Sequence, residues 1–165
     1  MAMRRIREYL DGSAARYVTI SHTPAYTAQQ TAQTSHIPGR EMAKTVIVWI
    51  DGRLAMAVVP ATQDLDLEAL RRQIGAKDLR LAYESEFADR FDGCQLGSAP
   101  PFGNVFGMET FIDRSLLQRS EIAFPAGTHT DAIIMKTSDY ERLAQPTSLR
   151  IGMDPLGSDF RVIPL

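Results

Sequence analysis

The chain has few of the residues that build covalent or metal-based frameworks. Of its 165 residues, one is a cysteine, Cys94, and three are histidines, His22, His36 and His129. A single cysteine cannot form a disulfide within the chain, and the histidines are far apart without the His-x-x-x-His spacing of a zinc site. We therefore expect no disulfide framework and no metal ion, as is typical of a protein in the reducing cytosol.

An apolar run long enough to cross a bilayer, about 20 residues, is also missing. Residues 1–8 are charged and lack the apolar core of a secretory signal. The net charge of −2 and the pI of about 5.9 exclude the strongly basic surface of a non-specific nucleic-acid-binding protein, although a contact with one end of a nucleic acid stays possible. These features predict a soluble, cytoplasmic protein without a membrane partner.

Motifs for nucleotide cofactors and for a catalytic triad are missing as well. No G-x-G-x-x-G sequence follows a strand, no Walker loop occurs, and Ser13, Ser98 and Ser120 lie outside any G-x-S-x-G elbow. We expect no dinucleotide, no nucleoside triphosphate, no serine nucleophile and no cofactor. A pair of Cys94 with a histidine is an alternative, but a lone cysteine beside Gly93 is more typical of a buried packing residue.

What the chain does contain is a series of short strands and helices within a single domain, 1–165. Helices are predicted at 3–16, 27–36, 66–74, 85–91 and 138–143, and strands at 17–20, 43–50, 54–59, 79–82, 109–113, 122–124 and 131–136. This irregular order predicts an α/β (α+β) fold with a curved mixed β-sheet that approaches a barrel and is surrounded by helices. Residues 146–165 are expected to form a C-terminal tail that wraps the body or projects from it.

Lysine is scarce, with three residues against fifteen arginines, and Lys44 lies near the start of the most apolar run, 43–50. That run ends at Asp51-Gly52, a strong hairpin signal. A partly desolvated ammonium at the end of a strand can bind a carbonyl or phosphate oxygen, or act as a base. A lysine that simply extends from a strand end into water has the same sequence pattern.

Two glycine-containing loops are further candidate binding elements. The first, 97–103, places two prolines between two glycines, which makes a stiff loop whose backbone N–H groups can bind an oxyanion, with Phe102 as the wall of a small apolar pocket. In the second, 124–131, Gly127 allows close backbone approach and His129 can donate a hydrogen bond or transfer a proton. An ordinary connection and an ordinary turn also fit these two patterns.

Together these segments resemble the YbaK/prolyl-tRNA synthetase-associated domain, a family of aminoacyl-tRNA editing deacylases. The matching residues are His22-Thr23-Pro24 with Thr27, the strand start 43–45, the loop 97–103 and the segment 124–135, and the resemblance spans roughly residues 15–145. It implies hydrolysis of the ester that joins an amino acid to the 3′ end of a tRNA, by a free domain acting in trans.

The resemblance also implies a set of site residues. The family's key lysine corresponds to Lys44, its G-x-x-x-P loop to Gly97 and Pro101, and the glycine of its later turn to Gly127, so that Lys44, Gly97 and Gly127 are the catalytic candidates. The substrate-binding candidates are His22, Thr27, Pro100, Pro101, Phe102, Gly103 and His129. Lys44 is expected to hold the terminal adenosine phosphate or polarise the ester carbonyl, while amides near Gly97 and Gly127 stabilise the oxyanion as water attacks.

Specificity is expected to come from a small pocket that excludes larger side chains by steric clash. The resemblance implies alanine or cysteine on the tRNA for proline, although His129-Thr130-Asp131 differs from the asparagine-rich stretch of alanine-specific members. The implied partners are the acceptor end of an aminoacyl-tRNA and a synthetase that delivers it. Two other functions stay open: a non-catalytic binding module for an amino acid, nucleotide or synthetase, and a small-ester hydrolase unrelated to tRNA.

Overall fold

A computed structural model of the protein describes residues 2–91, 94–95 and 97–155. The α-helices are α1 (Ala2–Gly12), α2 (Ala28–Thr34), α3 (Leu67–Ile74), α4 (Glu84–Phe87), α5 (Arg114–Leu117) and α6 (Thr137–Ala144), and Ala88–Phe91 and Gly103–Phe106 are 3-10 helices. The strands are β1 (Tyr17–Ser21), β2 (Ala43–Ile50), β3 (Arg53–Pro60), β4 (Asp64–Leu65), β5 (Leu79–Leu81), β6 (Glu109–Asp113), β7 (Glu121–Pro125), β8 (Asp131–Lys136), β9 (Thr147–Leu149) and β10 (Gly152–Met153). None of the helices in these residues is long and apolar enough to cross a membrane.

The largest sheet has five strands in the order β5-β2-β3-β6-β9. The β2–β3 hairpin is antiparallel, whereas β6 pairs in parallel with both β3 and β9. A second, antiparallel sheet has the order β1-β8-β7, and a bridge between Met42 and Ala123 connects the start of β2 to β7. This arrangement confirms the predicted mixed α/β fold, in which the sheet curves without closing into a barrel.

The two faces of β2 pack against different parts of the core. Ala43 and Ile47 belong to the main core together with Phe102 and Phe124, whereas Val48 belongs to a separate cluster on the α3 side of the sheet. Because side chains alternate along a strand, Lys44 lies on the same face of β2 as Val48, facing away from the main core.

Several helix ends are set by the local signals that the sequence carries. The Thr27 side chain accepts a hydrogen bond from the Gln30 N–H at the start of α2, and Asp66 does the same for the Ala69 N–H at the start of α3. Gly75 ends α3 with a φ of 69°. These predicted ends are confirmed.

Other helix ends differ from the prediction. The first helix ends at Gly12 instead of residue 16, because Ala14 adopts a left-handed φ of 61°. Ser138 in the sequence is typical of a helix cap, but the helix near it begins at Thr137 and no side chain caps it, so this expectation is wrong. Gly93, the glycine that is expected to end the helix predicted at 85–91, lies outside the described residues.

The segment after α6 packs on the body instead of projecting from it. Strand β9 extends the large sheet beside β6, and β10 pairs with β4. The buried Asp113 carboxylate, which also caps the unpredicted helix α5, accepts the N–H groups of Ile151 and Gly152 at 2.9 and 2.8 Å. Residues 156–165 of the predicted tail lie outside the described residues.

Candidate active site

Three segments that are distant in sequence meet at one end of the β1-β8-β7 sheet. They are residues 22–27 after β1, residues 94–95 with 97–103, and the turn 126–130 between β7 and β8, and we call them together the three-segment site. The His22 N–H donates to the Thr130 carbonyl and the Ala25 N–H to the His129 carbonyl, both at 2.8 Å. The first segment is therefore fixed to the turn by backbone hydrogen bonds.

Gln95 joins the second segment to the same turn. Its N–H donates to the Gly127 carbonyl at 2.9 Å, and its side-chain oxygen accepts the His129 N–H. In the other direction, the Gly127 N–H donates to the Ser98 carbonyl at 2.9 Å. The two glycine-containing loops, treated separately in the sequence, thus form one hydrogen-bonded unit.

Gly97 and Gly127 of the site occupy backbone conformations that other residues rarely adopt. Gly97 has a φ of 80° and Gly127 a φ of 90°. A Cβ atom on Gly97 would lie 2.8 Å from the carbonyl oxygen of Tyr26, which is closer than van der Waals contact allows. Glycine at position 97 therefore allows the first and second segments to touch.

The Gly127 amide is not available to an oxyanion, because it already donates to Ser98. Oxyanion binding by amides near Gly127 stays a prediction, in which the Gly127 amide itself is not the donor. Across the described part of the chain, the amides of Gly97 and Thr128 donate no hydrogen bond, and both residues are at least partly exposed. These amides are the donors that the geometry offers to a substrate oxygen.

The residues from Pro100 to Gly103 support the loop from inside. Phe102 is 0% exposed and packs edge-on against Phe124 and Tyr140, with ring centroids 5.4 and 5.1 Å apart. The Tyr140 hydroxyl donates to the Pro101 carbonyl at 2.7 Å, and the Gly103 N–H donates to the Thr110 hydroxyl at 2.9 Å. The Phe102 ring is thus fully buried in the core, and its predicted role as the wall of a small apolar pocket stays a prediction.

Lys44 is not joined to the amides of the site. Its ammonium lies 3.4 Å from Asp64, a partner on β4, and its side chain is 29% exposed. No hydrogen bond or ion pair within the described residues connects it to Gly97 or Gly127. The strand that carries Lys44 does begin beside β7, through the bridge between Met42 and Ala123.

The remaining substrate-binding candidates have structural contacts of their own. The Nδ1 atom of His22 lies 2.7 Å from the Thr23 carbonyl, and its Nε2 atom is buried. The Thr27 hydroxyl caps α2, and the His129 ring packs edge-on against Tyr26. These side chains therefore hold the first segment and the turn in place.

A nucleophilic Cys94 does not fit its surroundings. Burial raises the pKa of its thiol to about 11, against the opposing effect of the Arg5 charge. A thiol with this pKa stays protonated near neutral pH, whereas a nucleophile must be a thiolate. In the described residues, no group of three or more histidine, cysteine or acidic side chains could hold a metal ion.

Sequence reasoning missed Gln95 and Tyr26. Gln95 has no recognisable signal, because its role depends on a turn more than thirty residues away. Tyr26 is an exposed aromatic residue between Pro24 and the helix cap Thr27. Both of these residues belong to the segment that resembles the family, and this position is the signal that could have indicated Tyr26.

Comparisons with known proteins give the family of the chain. The family model described as the aminoacyl-tRNA editing domain matches residues 22–143, which contain all three segments. The chain is 29% identical over 148 residues to the multifunctional Ser/Thr-tRNA deacylase ProXp-y of Escherichia coli, in strains K12 and O157:H7, and this match covers 87% of the chain and 88% of each relative.

Solved structures show the same fold at lower identity. A candidate trans-editing enzyme for prolyl-tRNA synthetase matches with a TM-score of 0.78 and 20% identity, over 92% of this chain and 97% of that one. A candidate signal transduction protein from Marinobacter aquaeolei matches with a TM-score of 0.73 and 22% identity, over 92% of this chain and 31% of that one. With the family match, these findings confirm the resemblance seen in the sequence: the chain belongs to the aminoacyl-tRNA editing domain family.

Proposed function

We propose that this protein is a trans-acting deacylase that hydrolyses the ester between a small amino acid and the 3′ end of a tRNA. The observation that carries the proposal is the hydrogen-bonded unit of Gln95, Ser98 and Gly127. This unit fixes the positions of the Gly97 and Thr128 N–H groups, which donate to no acceptor among the described residues. Such preorganised donors stabilise the negative charge that develops on the carbonyl oxygen of an ester.

The chemistry needs no nucleophilic side chain. A water molecule attacks the carbonyl carbon, the amides hold the oxyanion, and the bond to the ribose oxygen then breaks. The products are the free amino acid and a tRNA whose terminal ribose regains its hydroxyl. An aminoacyl ester is already activated, so a protonated Cys94 and the absence of a serine elbow are compatible with this route.

Lys44 is proposed to bind the phosphate of the terminal adenosine. Its ion pair with Asp64 involves a carboxylate whose side chain is 52% exposed, and surface pairs of this kind contribute only about 0–1 kcal/mol. A phosphate group can therefore replace Asp64 as the partner of the ammonium. This role differs from polarising the ester carbonyl, which the described position of the side chain does not favour.

Two classes of amino acid are candidates. Serine or threonine is supported by the curated relative that acts on these residues, at 29% identity. Alanine or cysteine on the tRNA for proline is the prediction from the sequence resemblance. The two classes differ in a hydroxyl group, which a polar site discriminates far better than it discriminates one methylene.

The test is hydrolysis of a panel of aminoacyl-tRNAs by the wild-type protein, Lys44→Ala and Lys77→Ala. The panel contains serine and threonine on several tRNAs, and alanine, cysteine, serine and proline on the tRNA for proline. We expect hydrolysis of one small amino acid, a large loss in Lys44→Ala and wild-type rates in Lys77→Ala, whose lysine lies in a loop after α3.

The panel also tests the competing functions. A folded wild-type protein that hydrolyses no member would overturn the deacylase and favour the binding module. Hydrolysis of small esters that uncharged tRNA does not inhibit would point to an esterase unrelated to tRNA. Full activity of Lys44→Ala would overturn the proposed role of the lysine alone.

A further inference from the structure

Tyr26 is an exposed aromatic side chain at the edge of the three-segment site. Its residue is 64% exposed, yet its backbone is fixed on both sides. The Tyr26 N–H donates to the Gln30 side-chain oxygen at 2.9 Å, and its carbonyl lies against Gly97. An exposed ring on a fixed backbone is a preorganised contact surface.

The His129 ring fixes the orientation of the tyrosine. The two ring centroids are 4.8 Å apart with planes inclined at 69°, which is an edge-to-face contact. This contact occupies at most one face of the Tyr26 ring and leaves the other face available. The exposed ring thus belongs to a residue whose backbone carbonyl lies against Gly97 and whose ring contacts the turn that carries His129.

We propose that Tyr26 is the stacking platform for the terminal adenine base of the tRNA, an inference that rests on the proposed deacylase function. The ester and the adenine are attached to the same ribose, so an ester held at the Gly97 amide places the base within one nucleoside of this position. Tyr26, whose backbone carbonyl lies against Gly97, carries an exposed aromatic ring that can take this base.

The overall charge of the chain makes such a contact useful. With a net charge of −2, the protein has little general attraction for the phosphate backbone. Stacking on an aromatic ring does not depend on charge and strengthens binding of a single-stranded end by about 10- to 100-fold per base. The structure thus assigns recognition of the tRNA end to stacking as well as to the Lys44 charge.

The direct test uses uncharged tRNA whose terminal adenine is replaced by 2-aminopurine, a fluorescent base that stacking quenches. The wild-type protein and Tyr26→Phe are expected to quench the fluorescence at saturation, whereas Tyr26→Leu is expected not to. The control is Tyr83→Leu, which is expected to quench the fluorescence like the wild type. Tyr83 is 70% exposed, but the Arg80 guanidinium already lies over its ring at 5.3 Å. No quenching by the wild type, or equal quenching by Tyr26→Leu, would overturn the inference.

A kinetic measurement separates this inference from the proposed function. We expect Tyr26→Leu to raise the KM for the aminoacyl-tRNA about 10-fold or more with a much smaller change in kcat, and Tyr26→Phe to restore the wild-type KM. Deacylation with the same KM in both variants would overturn the stacking role and leave the deacylase intact. Tyrosine-dependent quenching without any deacylation would overturn the deacylase and retain the base contact.

Discussion

Two hairpins of this protein close through a glycine with nearly the same backbone conformation, but the two turns differ in what they hold. Gly52, between β2 and β3, has a φ of 87°, and Gly127, between β7 and β8, has a φ of 90°. No atom lies within 4 Å of the place where a Cβ on Gly52 would be. Both polar backbone groups of Gly127, in contrast, are bonded to residues of the 94–98 segment.

The comparison shows that a glycine turn in the sequence does not by itself indicate a functional site. At the Gly52 turn, the backbone reverses in open space, and the adjacent Asp51 side chain accepts the N–H groups of Lys77 and Asp78. At the Gly127 turn, the backbone itself is the meeting point of two other segments. The second turn therefore couples its own geometry to the geometry of the proposed site.

Exchanging each glycine for alanine gives the largest expected difference. Gly52→Ala and Gly127→Ala introduce similar backbone strain, of about 1–2 kcal/mol. Only Gly127→Ala also displaces the bonds to Gln95 and Ser98, and an error of about 1 Å in a site can lower a rate about 100-fold. We expect kcat/KM for aminoacyl-tRNA to fall by about that factor in Gly127→Ala and to stay near wild type in Gly52→Ala.

Thermal unfolding provides the control for this pair, because Gly52→Ala is expected to lose only the stability that the strain costs, whereas Gly127→Ala also loses the contribution of the displaced hydrogen bonds. A Gly127→Ala protein that unfolds like Gly52→Ala but deacylates at the wild-type rate would show that the two turns are equivalent. The proposed dependence of the site on Gly127 would then be wrong.

The side chains that hold the two turns form a second matched pair, Gln95 and Asp51. Gln95→Ala removes the acceptor of the His129 N–H, a hydrogen bond of about 1 kcal/mol, so we expect kcat/KM to fall about 5- to 10-fold. Asp51→Ala removes, from the other turn, the acceptor of the Lys77 and Asp78 N–H groups in the loop after α3, and it is expected to lower the melting temperature without lowering kcat/KM. Equal kinetic losses in both variants would contradict the distinction between the turns.

The buried carboxylate of Asp113 accepts backbone N–H groups, as Asp51 does, and predicts an effect of pH on the free energy of unfolding. Burial by itself would raise the pKa of Asp113, but hydrogen bonds from the Ser115 hydroxyl and from the N–H groups of Gly152, Ile151 and Ser115 outweigh it, and the pKa is lowered from 3.8. A depressed pKa in the folded state adds stability that is complete above the unfolded value and is lost as the pH falls through the folded value.

Asp113→Asn keeps the acceptor for Ile151 and Gly152 but removes the charge and the acceptor for Ser115. We expect the variant to be less stable at pH 7 by about 1.5–3 kcal/mol, the value typical of hydrogen bonds to charged groups. The difference in free energy of unfolding between the variant and the wild type should shrink as the pH falls below about 4, because the wild-type carboxylate then becomes protonated. Chemical denaturation at several pH values measures this difference. A gap that stays constant down to the acid range would contradict the depressed pKa.

Much of the fold follows from local signals, whereas the site depends on contacts between distant residues. The apolar run of β2 and the caps Thr27, Asp66 and Gly75 each act within a few residues, so the sequence predicts them. The proline and glycine spacing of 97–103 predicts an irregular loop but not which side faces the core. That side is set by Phe124 and Tyr140, which come more than twenty residues later.

The position of Lys44 shows the same limit. The sequence places it correctly near the start of a buried strand, and the alternation of side chains gives its face. Its partner Asp64 depends on the path of the chain after β3, which no local pattern specifies. A residue-by-residue resemblance therefore identified the correct family, while the hydrogen-bond partners of each loop required the three-dimensional structure.

The smallest effect is expected at Cys94, the immediate neighbour of Gln95. Gln95 contributes backbone and side-chain hydrogen bonds to the turn, whereas the Cys94 thiol is partly buried and its pKa is raised to about 11. Near neutral pH, almost all of the thiol is therefore protonated and unable to attack an ester. Cys94→Ser should deacylate at the wild-type rate, and iodoacetamide should alkylate the wild-type protein slowly until the pH approaches the thiol pKa. A Cys94→Ser variant that loses activity while remaining as stable as the wild type would instead make the thiol part of the reaction, and the route through water and backbone amides would then be wrong.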